Sequence, residues 1–412
     1  MKKALLFTLS ICLVAALLIF SGSSDRGSEA TYMSTAPSAS SNVSPSPEEN
    51  TIRIGVPASL TGPGSTDDAR VLLGLRYAHS VTPTVDIGST TYKLELVETD
   101  DAGTDSGAQS AAAALSKGGV TAVIGPFLSQ SAREALPAYA KADLPVLSVC
   151  GAEDTASSNS FFSLAPSVSL SGRAAAGLAQ SLDRHSAAVL SDNTDSSSQA
   201  LAKAFVEAFT ALGGACTEIP FTAGKKLDLV SIQAIEQCRA DIVFMASSAE
   251  DGEAFLQLAR KNGILCPVIG SSAWDAGLLL SDADYYSDNV YVVADYDGCG
   301  DEPVSAGFAS RFSAWTGDGE NTKRKNGGST YASSYSATAY DAYMLLVGAI
   351  KSAASTDPAA VTDALRQTSY NGVTGPVAFD KGGRAARTVT YIKQLDADTG
   401  RFALLKTIEI GG

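Results

Sequence analysis

Residues 51–65 have the sequence TIRIGVPASLTGPGS, and residues 120–132 have the sequence VTAVIGPFLSQSA. In each stretch a short apolar run, Ile52–Val56 or Val120–Ile124, stops at Gly, Pro and hydroxyl residues before an Ala- and Leu-rich helical segment. This pattern predicts a buried parallel strand whose following loop exposes N–H and hydroxyl groups. Open α/β sheets bind ligands at that carboxyl edge. Both loops offer small hydrogen-bonding groups and no obvious general base, which favours binding without chemistry.

Predicted strands and helices alternate along the chain in two successive series. The first series lies between Ile52 and Val149, the second between Ala187 and Gly270, and both follow a β-α-β-α-β-α-β order. A further apolar strand at Val290–Ala294, helices and an antiparallel strand pair around an Asp-Thr-Gly turn follow. Such alternation requires right-handed crossovers and parallel sheets covered on both faces. The sequence therefore predicts an α/β fold of two doubly wound parallel-sheet lobes with a cleft between them.

Length, charge and motif content limit the classes of function that the protein can have. The chain has 412 residues, too many for one hydrophobic core, so two lobes are expected. Its formal net charge of -14 argues against nucleic acid as a partner, because phosphates would be repelled. The two histidines, His79 and His185, lie away from the carboxyl ends of predicted strands, and no P-loop, G-x-S-x-G or C-x-x-C motif occurs. We therefore expect no enzyme activity, no cofactor and no metal site.

The composition of the N-terminal region predicts that the protein is exported. Two lysines precede an apolar run in residues 1–23, as in a signal peptide, but the run is long enough that an uncleaved membrane anchor stays open. Residues 24–50 are rich in Ser, Ala and Pro and predict a disordered tether. The protein is therefore expected in the periplasm or at the outer face of the cell membrane. Five cysteines follow the leader, and their pairing stays open.

Several motifs together resemble the type I periplasmic solute-binding proteins, in the branched-chain amino-acid (Leu/Ile/Val) branch that serves ABC importers. They occur in the family's order across residues 51–410 and include RIGVPASLTGP, LVETDDAGTDSGAQSAAAAL, VTAVIGPFLSQSA, LPVLSVCGA, FFSLAPS, ADIVFMASS, PVIGSSAWD and GVTGPVAFDKGGR. The resemblance implies two lobes joined by three crossover strands that close over a small molecule by hinge motion. It also implies an ABC permease as partner, and we expect a monomer. The expected lobes are residues 51–168 with 298–373, and residues 169–297 with 374–412.

The resemblance places candidate ligand contacts of the first lobe after two strands. Ser129 occupies the position whose hydroxyl binds the ligand carboxylate in amino-acid binders of this family. The next loop supplies a backbone group and a Thr hydroxyl in the family. Here that loop contains Cys150, Gly151 and Ala152, so one expected hydroxyl is missing. Ser129 is also a candidate helix N-cap, and the two roles are compatible because a cleft-facing helix start can bind an anion.

The second lobe departs further from the family pattern. Where amino-acid binders have two tyrosines and an acidic residue that meets the ligand ammonium, this chain has Ser197, Ser248 and Ser272. A buried ammonium group needs a carboxylate or several oriented acceptors to compensate its desolvation. The nearest acidic alternatives are Asp192, Asp195 and Glu250. The sequence thus predicts a neutral polar or carboxylate-bearing ligand, not leucine, isoleucine or valine bound in the usual way, unless one of those acids reaches the ammonium.

Two aromatic residues are candidates for the cleft wall. Trp274 follows PVIGSS and Tyr296 follows the VVAD strand, where an aromatic face could cover an apolar or cationic ligand; hinge packing is the alternative for both. The whole cleft is expected to be lined by residues 60–67, 127–130, 150–152, 192–197, 247–250 and 272–274. Because one fold serves several uses, a ligand-sensing module that reports to a membrane receptor is the alternative to an importer component.

Overall fold

A computed structural model describes residues 50–62, 64–127, 129–149, 159–223, 229–276, 289–298, 303–396 and 398–409. Residues Glu48–Gly412 form one compact unit. The predicted leader and almost all of the predicted tether lie outside the described residues. Across the part of the chain that is described, no helix has the length and apolar character needed to cross a membrane.

The first lobe is built on a sheet whose six described strands have the order β2-β3-β1-β4-β5-β6. These strands are β1 (Thr51–Ala58), β2 (Thr84–Ile87), β3 (Thr90–Asp100), β4 (Ala122–Ile124), β5 (Val146–Ser148) and β6 (Phe161–Ser163). All neighbours pair in parallel except β2 with β3. The crossover helices are α1 (Ser65–Val81), α2 (Asp105–Lys117) and α3 (Ser129–Lys141). The fully buried, apolar β4 is typical of a parallel strand covered on both faces.

The second lobe is built on a sheet whose seven described strands have the order β15-β14-β11-β10-β9-β7-β8. These strands are β7 (Ser186–Asp192), β8 (Ala215–Phe221), β9 (Ile242–Ala246), β10 (Val268–Gly270), β11 (Val290–Ala294), β14 (Val389–Asp396) and β15 (Arg401–Glu409). The helices are α4 (Val168–Ser181), α5 (Ser196–Ala211), α6 (Leu229–Gln237) and α7 (Ala249–Lys261). Strands β14 and β15 are the predicted antiparallel pair, and β14 joins the parallel part through β11.

The chain then returns to the first lobe. The returning elements are α8 (Pro303–Gly317), α9 (Glu320–Lys325), α10 (Ser334–Ala353), α11 (Pro358–Gln367), β12 (Ser369–Gly372) and β13 (Gly375–Ala378). Helix α10 packs closely on α1 because Gly74 has no side chain: a Cβ there would lie 2.2 Å from the carbonyl oxygen of Ser336. Leu346 of α10 and Leu75 of α1 are both buried in the core that covers β1. The predicted two-lobe α/β fold is confirmed.

The chain passes between the two sheets three times, after Ser163, after Ala294 and before Val389. The third passage lies later than the boundary expected at residue 374. Val377 and Ala385 are buried in the core of the first lobe, and the ring centroids of Phe379 and Phe162 are 4.9 Å apart. The first lobe therefore keeps the chain until Ala385.

Cys216, Cys238 and Cys266 are free, half-buried thiols in the second lobe. Burial raises the pKa of the Cys216 and Cys266 thiols, so both are poor nucleophiles at neutral pH. Cys150 and Cys299 lie outside the described residues.

Candidate functional site

The loop after β1 is held by carboxylates from two neighbouring segments of the first lobe. The Ser59 N–H donates to Asp68 Oδ2 at 2.7 Å, and the Ser59 hydroxyl donates to Asp101 Oδ1 at 2.9 Å. The Thr61 hydroxyl donates to Asp100 Oδ2 at 2.7 Å. Burial raises the pKa of Asp68, the hydrogen bond from Ser59 opposes this shift and the charge of Asp101 adds to it, so that the pKa is about 7. The β1 loop is thereby fixed at the carboxyl edge of the sheet.

The raised pKa of Asp68 predicts a pH dependence of stability. In the unfolded chain this carboxyl titrates near 3.8, and in the folded protein near 7, so the folded state binds the proton more tightly. The stabilising contribution is fully present below pH 3.8 and is lost as the pH rises through about 7. We expect the free energy of unfolding of Asp68→Asn, relative to wild type, to rise between pH 5 and pH 8 in urea denaturation.

Asp100→Asn is the matched control for this measurement. Burial alone would raise the pKa of Asp100, but hydrogen bonds from Thr61, Ala102 and Leu60 together lower it, so this group stays ionised from pH 5 to pH 8. The effect of Asp100→Asn should not change over that range. A pH-independent effect of Asp68→Asn would show that the buried carboxyl does not titrate there.

The predicted first-lobe contacts are only partly described. Ser129 is the first residue of α3, directly after the loop that follows β4, which is the place expected for it. The main chain therefore places it at a helix start at the carboxyl edge of the sheet. Cys150, Gly151 and Ala152 follow β5 and lie outside the described residues.

Two of the acidic alternatives in the second lobe are engaged with backbone groups. Asp192 ends β7, and its Oδ1 accepts hydrogen bonds from the N–H and hydroxyl of Thr194 and from the Ala223 N–H. Asp195 is the N-cap of α5 and accepts from the N–H groups of Ser197 and Ser198. These carboxylates shape the loops after β7 and β8 through turn and helix-cap hydrogen bonds.

Ser248 and Glu250 lie where α7 begins. The Ser248 hydroxyl caps this helix by accepting from the Asp251 N–H at 3.1 Å, and it also donates to the Asp251 carboxylate. Glu250 is exposed in the first turn. Its charge contributes to raising the pKa of Asp67 on α1, an effect that burial dominates. The starts of α1 and α7 therefore approach each other across the two lobes.

Trp274 is fully buried in the core of the second lobe. Its indole N–H donates to the Ser247 hydroxyl at 3.1 Å. A Cβ at Gly270 or at Gly252 would lie 2.2 Å or 2.3 Å from the ring, so both glycines make room for it. This position corresponds to the packing alternative and not to an exposed cleft wall.

Tyr296 is also fully buried. Its hydroxyl donates to the Ser305 carbonyl at 3.0 Å, and its ring packs edge-to-face on Phe308 at 5.8 Å. The cluster around it includes Tyr77 of α1, so Tyr296 packs where the second lobe's sheet meets the first lobe. The placement again favours hinge packing over the cleft wall.

A fully buried ion pair lies at the junction of the lobes. Lys393 of β14 donates to Asp275 Oδ2 at 2.9 Å, and neither side chain is exposed. From the first lobe, Tyr331 donates to Asp275 Oδ1 at 3.0 Å and Ser334 donates to Oδ2 at 2.9 Å. Burial penalises the Asp275 carboxylate, and these three contacts compensate it. This network was not predicted from the sequence; its signal is a lysine inside the apolar strand VTYIKQL.

Ser272 lies beside a second carboxylate, Asp295. Ser272 begins a 3-10 turn, Ser272–Ala276, after β10, and Asp295 directly follows β11, the strand that pairs in parallel with β10. Burial raises the pKa of Asp295 to about 6, and the nearby Arg387 charge opposes this shift. Tyr335 of α10 is close to carboxylates of both lobes: burial raises its pKa most, and the charges of Asp67 and Asp295 add to the shift. These side chains meet where the carboxyl edges of the two sheets converge.

The two lobes also make contact between α3 and α5. The guanidinium of Arg133 on α3 donates to the Ser196 hydroxyl at the start of α5, at 3.2 Å. Among the residues that the structure describes, no group of three or more His, Cys, Asp or Glu side chains could hold a metal ion. The described residues thus bring hydrogen-bonding groups and carboxylates of both lobes into contact at the junction of the lobes.

Comparison with known proteins agrees with this architecture. The sequence profile of the periplasmic binding protein family matches residues 51–400. No curated protein sequence matches the chain. The structure of the leucine-binding protein LivK of Thermotoga maritima is 23% identical, with 87% of this chain and 99% of that chain covered and a TM-score of 0.75.

Two further solved structures are similar. LivJ of Streptococcus pneumoniae in complex with isoleucine is 20% identical, covers 86% of this chain and 99% of its own, and has a TM-score of 0.74. A solute-binding protein of Rhodopseudomonas palustris in complex with 3,4-dihydroxybenzoic acid is 18% identical, with 88% of this chain and 99% of that chain covered and a TM-score of 0.76. At these identities the similarity shows the fold.

Proposed function

Because the chain belongs to the periplasmic binding protein family, we propose that it is an extracytoplasmic solute-binding protein that captures a small polar molecule between its lobes. The observation that carries the proposal is the convergence of strand-end segments from both sheets. Burial raises the pKa of Tyr335 of the first lobe most, and the charges of Asp67 of the first lobe and Asp295 of the second both add to this shift. Ligands of open α/β sheets bind at such carboxyl edges.

The ligands of similar proteins support a small molecule. LivK of Thermotoga maritima is a leucine-binding protein, LivJ of Streptococcus pneumoniae holds isoleucine, and the Rhodopseudomonas palustris protein holds 3,4-dihydroxybenzoic acid. The last two ligands carry a carboxylate. In this chain the start of α3 at Ser129 would bind such a group, because helix N-termini present unpaired N–H groups to anions.

The remaining parts of the proposal concern the contacts and the partner. Ser197, Ser248 and Ser272 are half-buried at strand ends of the second lobe, and the loop of Cys150, Gly151 and Ala152 belongs to the same proposed cleft. We propose that the protein binds its ligand as a monomer without chemical conversion. It then delivers the ligand to an ABC permease in the membrane.

Thermal-shift screening of the full chain tests the proposed function. The library contains amino acids, amides, amines, polyols and small aromatic acids. A ligand at 100 times its dissociation constant stabilises the folded state by about 2.7 kcal/mol, which gives a clear rise of the melting temperature. A rise with at least one class is the expected result. No shift with any class would contradict the proposed function.

A further inference from the structure

We infer that the second lobe has an additional binding site, an apolar groove that takes the alkyl chain of a long-chain carboxylate. The groove has a volume of about 800 Å³ and lies between helices α4 and α5 and strands β14 and β15. It is on the sheet face that α4 and α5 cover, and it shares no residue with the segments expected to line the cleft. The inference therefore goes beyond the proposed function.

Small residues on the two helices leave the space that forms the groove. Those that line it are Gly177, Ser181, Ala208 and Ala211. Beyond Gly177 there is open space, since a Cβ there would meet nothing within 4 Å. One turn earlier the helices touch: a Cβ at Gly172 would lie 2.6 Å from the carbonyl carbon of Ala204. The groove thus results from missing side-chain volume between helices that close packing holds in place.

The strand side of the groove exposes a large apolar residue because β15 is irregular. Strand β15 is the outermost described strand of its sheet. Its register with β14 shifts between Ile392 and Lys393, so that Leu405 is the extra residue of a β-bulge. Leu405 lines the groove and is 51% exposed, and Leu212 at the end of α5 lines it and is 45% exposed. Neighbouring exposed apolar side chains of this size mark interaction sites.

Two cations at the groove select the charge of the ligand's head group. Arg173 of α4 and Lys406 of β15 are exposed and line the groove. Among the described residues neither has an ion pair within 4.0 Å. The Arg173 guanidinium donates to the Ser169 hydroxyl at 2.8 Å and has further N–H donors left. Glu409 is the one acid among the described lining residues, so one positive charge is in excess, which suits a single carboxylate.

The size and lining of the groove fit an alkyl chain. Pockets for small molecules typically have volumes of about 300–1,000 Å³ and a largely apolar lining. A chain lying over Leu212 and Leu405 would remove both side chains from water. Each methylene group that the groove buries should raise the affinity up to about fourfold, which corresponds to about 0.8 kcal/mol. A short carboxylate would gain little from this site.

Calorimetry of the full chain with decanoate, hexanoate and decylammonium tests the inference. Hexanoate has the same head group as decanoate and four fewer methylene groups, and decylammonium has the same chain length with the opposite charge. We expect decanoate to bind at least tenfold more tightly than either of the other two.

Gly177→Leu fills the groove and is expected to lower the affinity for decanoate at least tenfold. The substitution enters open space on an exposed helix position, and leucine is a better helix former than glycine, so the fold should be kept. Gly348→Leu on α10 is the matched control, because Gly348 is also exposed on a helix with nothing within 4 Å of its Cβ position. Its affinity for decanoate should stay within twofold of the wild type.

The double variant Arg173→Gln with Lys406→Gln tests the head-group contact. It should lower the affinity for decanoate at least fivefold and abolish the preference for decanoate over decylammonium. Arg401→Gln removes an exposed charge from the other end of β15, outside the groove, and should match the wild type.

The outcomes separate the inference from the proposed function. An unchanged affinity in Gly177→Leu would assign decanoate to another site and overturn the inference, while the thermal-shift screen still decides the proposed function. Equal binding of decanoate and decylammonium, or an unchanged affinity in the double variant, overturns the carboxylate class of the ligand. Binding of the protein to anionic phospholipid vesicles without binding of monomeric decanoate would make the groove a membrane contact and overturn the inference as well.

Discussion

Lys393→Met is expected to lower the free energy of unfolding by about 3–5 kcal/mol, because it leaves a buried carboxylate without its cation. Lys393 and Asp275 are both 0% exposed, and their charged atoms are 2.9 Å apart. Methionine conserves much of the side-chain volume, so the loss reports the missing charge and not a cavity. The ammonium also lies 5.6 Å from the ring centroid of Tyr296, a contact that disappears with it. Urea denaturation at pH 7 measures the change.

Two further variants test whether the loss comes from the unpaired buried charge. Lys406→Met on the neighbouring strand β15 removes an exposed charge and should change stability by no more than about 0.5 kcal/mol. The double variant Lys393→Met with Asp275→Asn removes both charges and should recover much of the loss, since the Asn oxygen can still accept from one of the Ser334 and Tyr331 hydroxyls and its NH2 group can donate to the oxygen of the other. Equal effects of Lys393→Met and Lys406→Met would contradict the structure at the junction.

Asp341→Ala is expected to destabilise the first lobe by about 3 kcal/mol or more, because it leaves two buried N–H groups without an acceptor. The Asp341 carboxylate, on α10, accepts from the N–H groups of Val373 and Thr374 at 2.9 Å and 2.8 Å. The hydroxyls of Thr374 and Tyr370 donate to it as well. It therefore holds the turn between β12 and β13. Alanine is the better helix former, so any net loss comes from the carboxylate.

Denaturant unfolding of Asp341→Ala is compared with Asp363→Ala, which removes an exposed aspartate from the neighbouring helix α11. The control should stay within about 0.5 kcal/mol of the wild type. Hydrogen exchange adds a local readout: the amides of Val373 and Thr374 should lose protection in Asp341→Ala alone. Unchanged protection of both amides would mean that another group holds this turn.

Strong periodicity made most elements of the fold predictable. The structure places α2 at Asp105–Lys117, α6 at Leu229–Gln237 and β11 at Val290–Ala294, as the sequence indicates. Strand β2 and helix α4 were missed. Strand β2 has four residues and pairs only with β3, too short for an alternation pattern. Helix α4 contains Gly172 and several serines, which weaken helix propensity, and it is stabilised by packing on α5.

The site was less predictable than the fold because its side chains come from distant segments. Rules on strand ends predicted the segments around Asp192, Ser248 and Ser272 as parts of the site, yet they could not tell a cap from a free group. Asp295 was missed for a simpler reason: it follows β11, a strand outside the repeated series. The stretch VVAD contained the signal, a carboxylate directly after a fully buried strand. The same uncertainty affected Trp274, whose burial depends on Gly252 and Gly270.

Hydrogen exchange of the full chain, with and without the tightest ligand of the thermal-shift screen, tests the central claim most directly. The claim is that one small molecule binds between the lobes at the carboxyl edges of both sheets. The ligand should slow exchange in the first lobe at residues 59–62 and 335–338, and in the second lobe at residues 271–275 and 295–298. Protection confined to one lobe, or to the outer helices α4 and α5, would contradict the account.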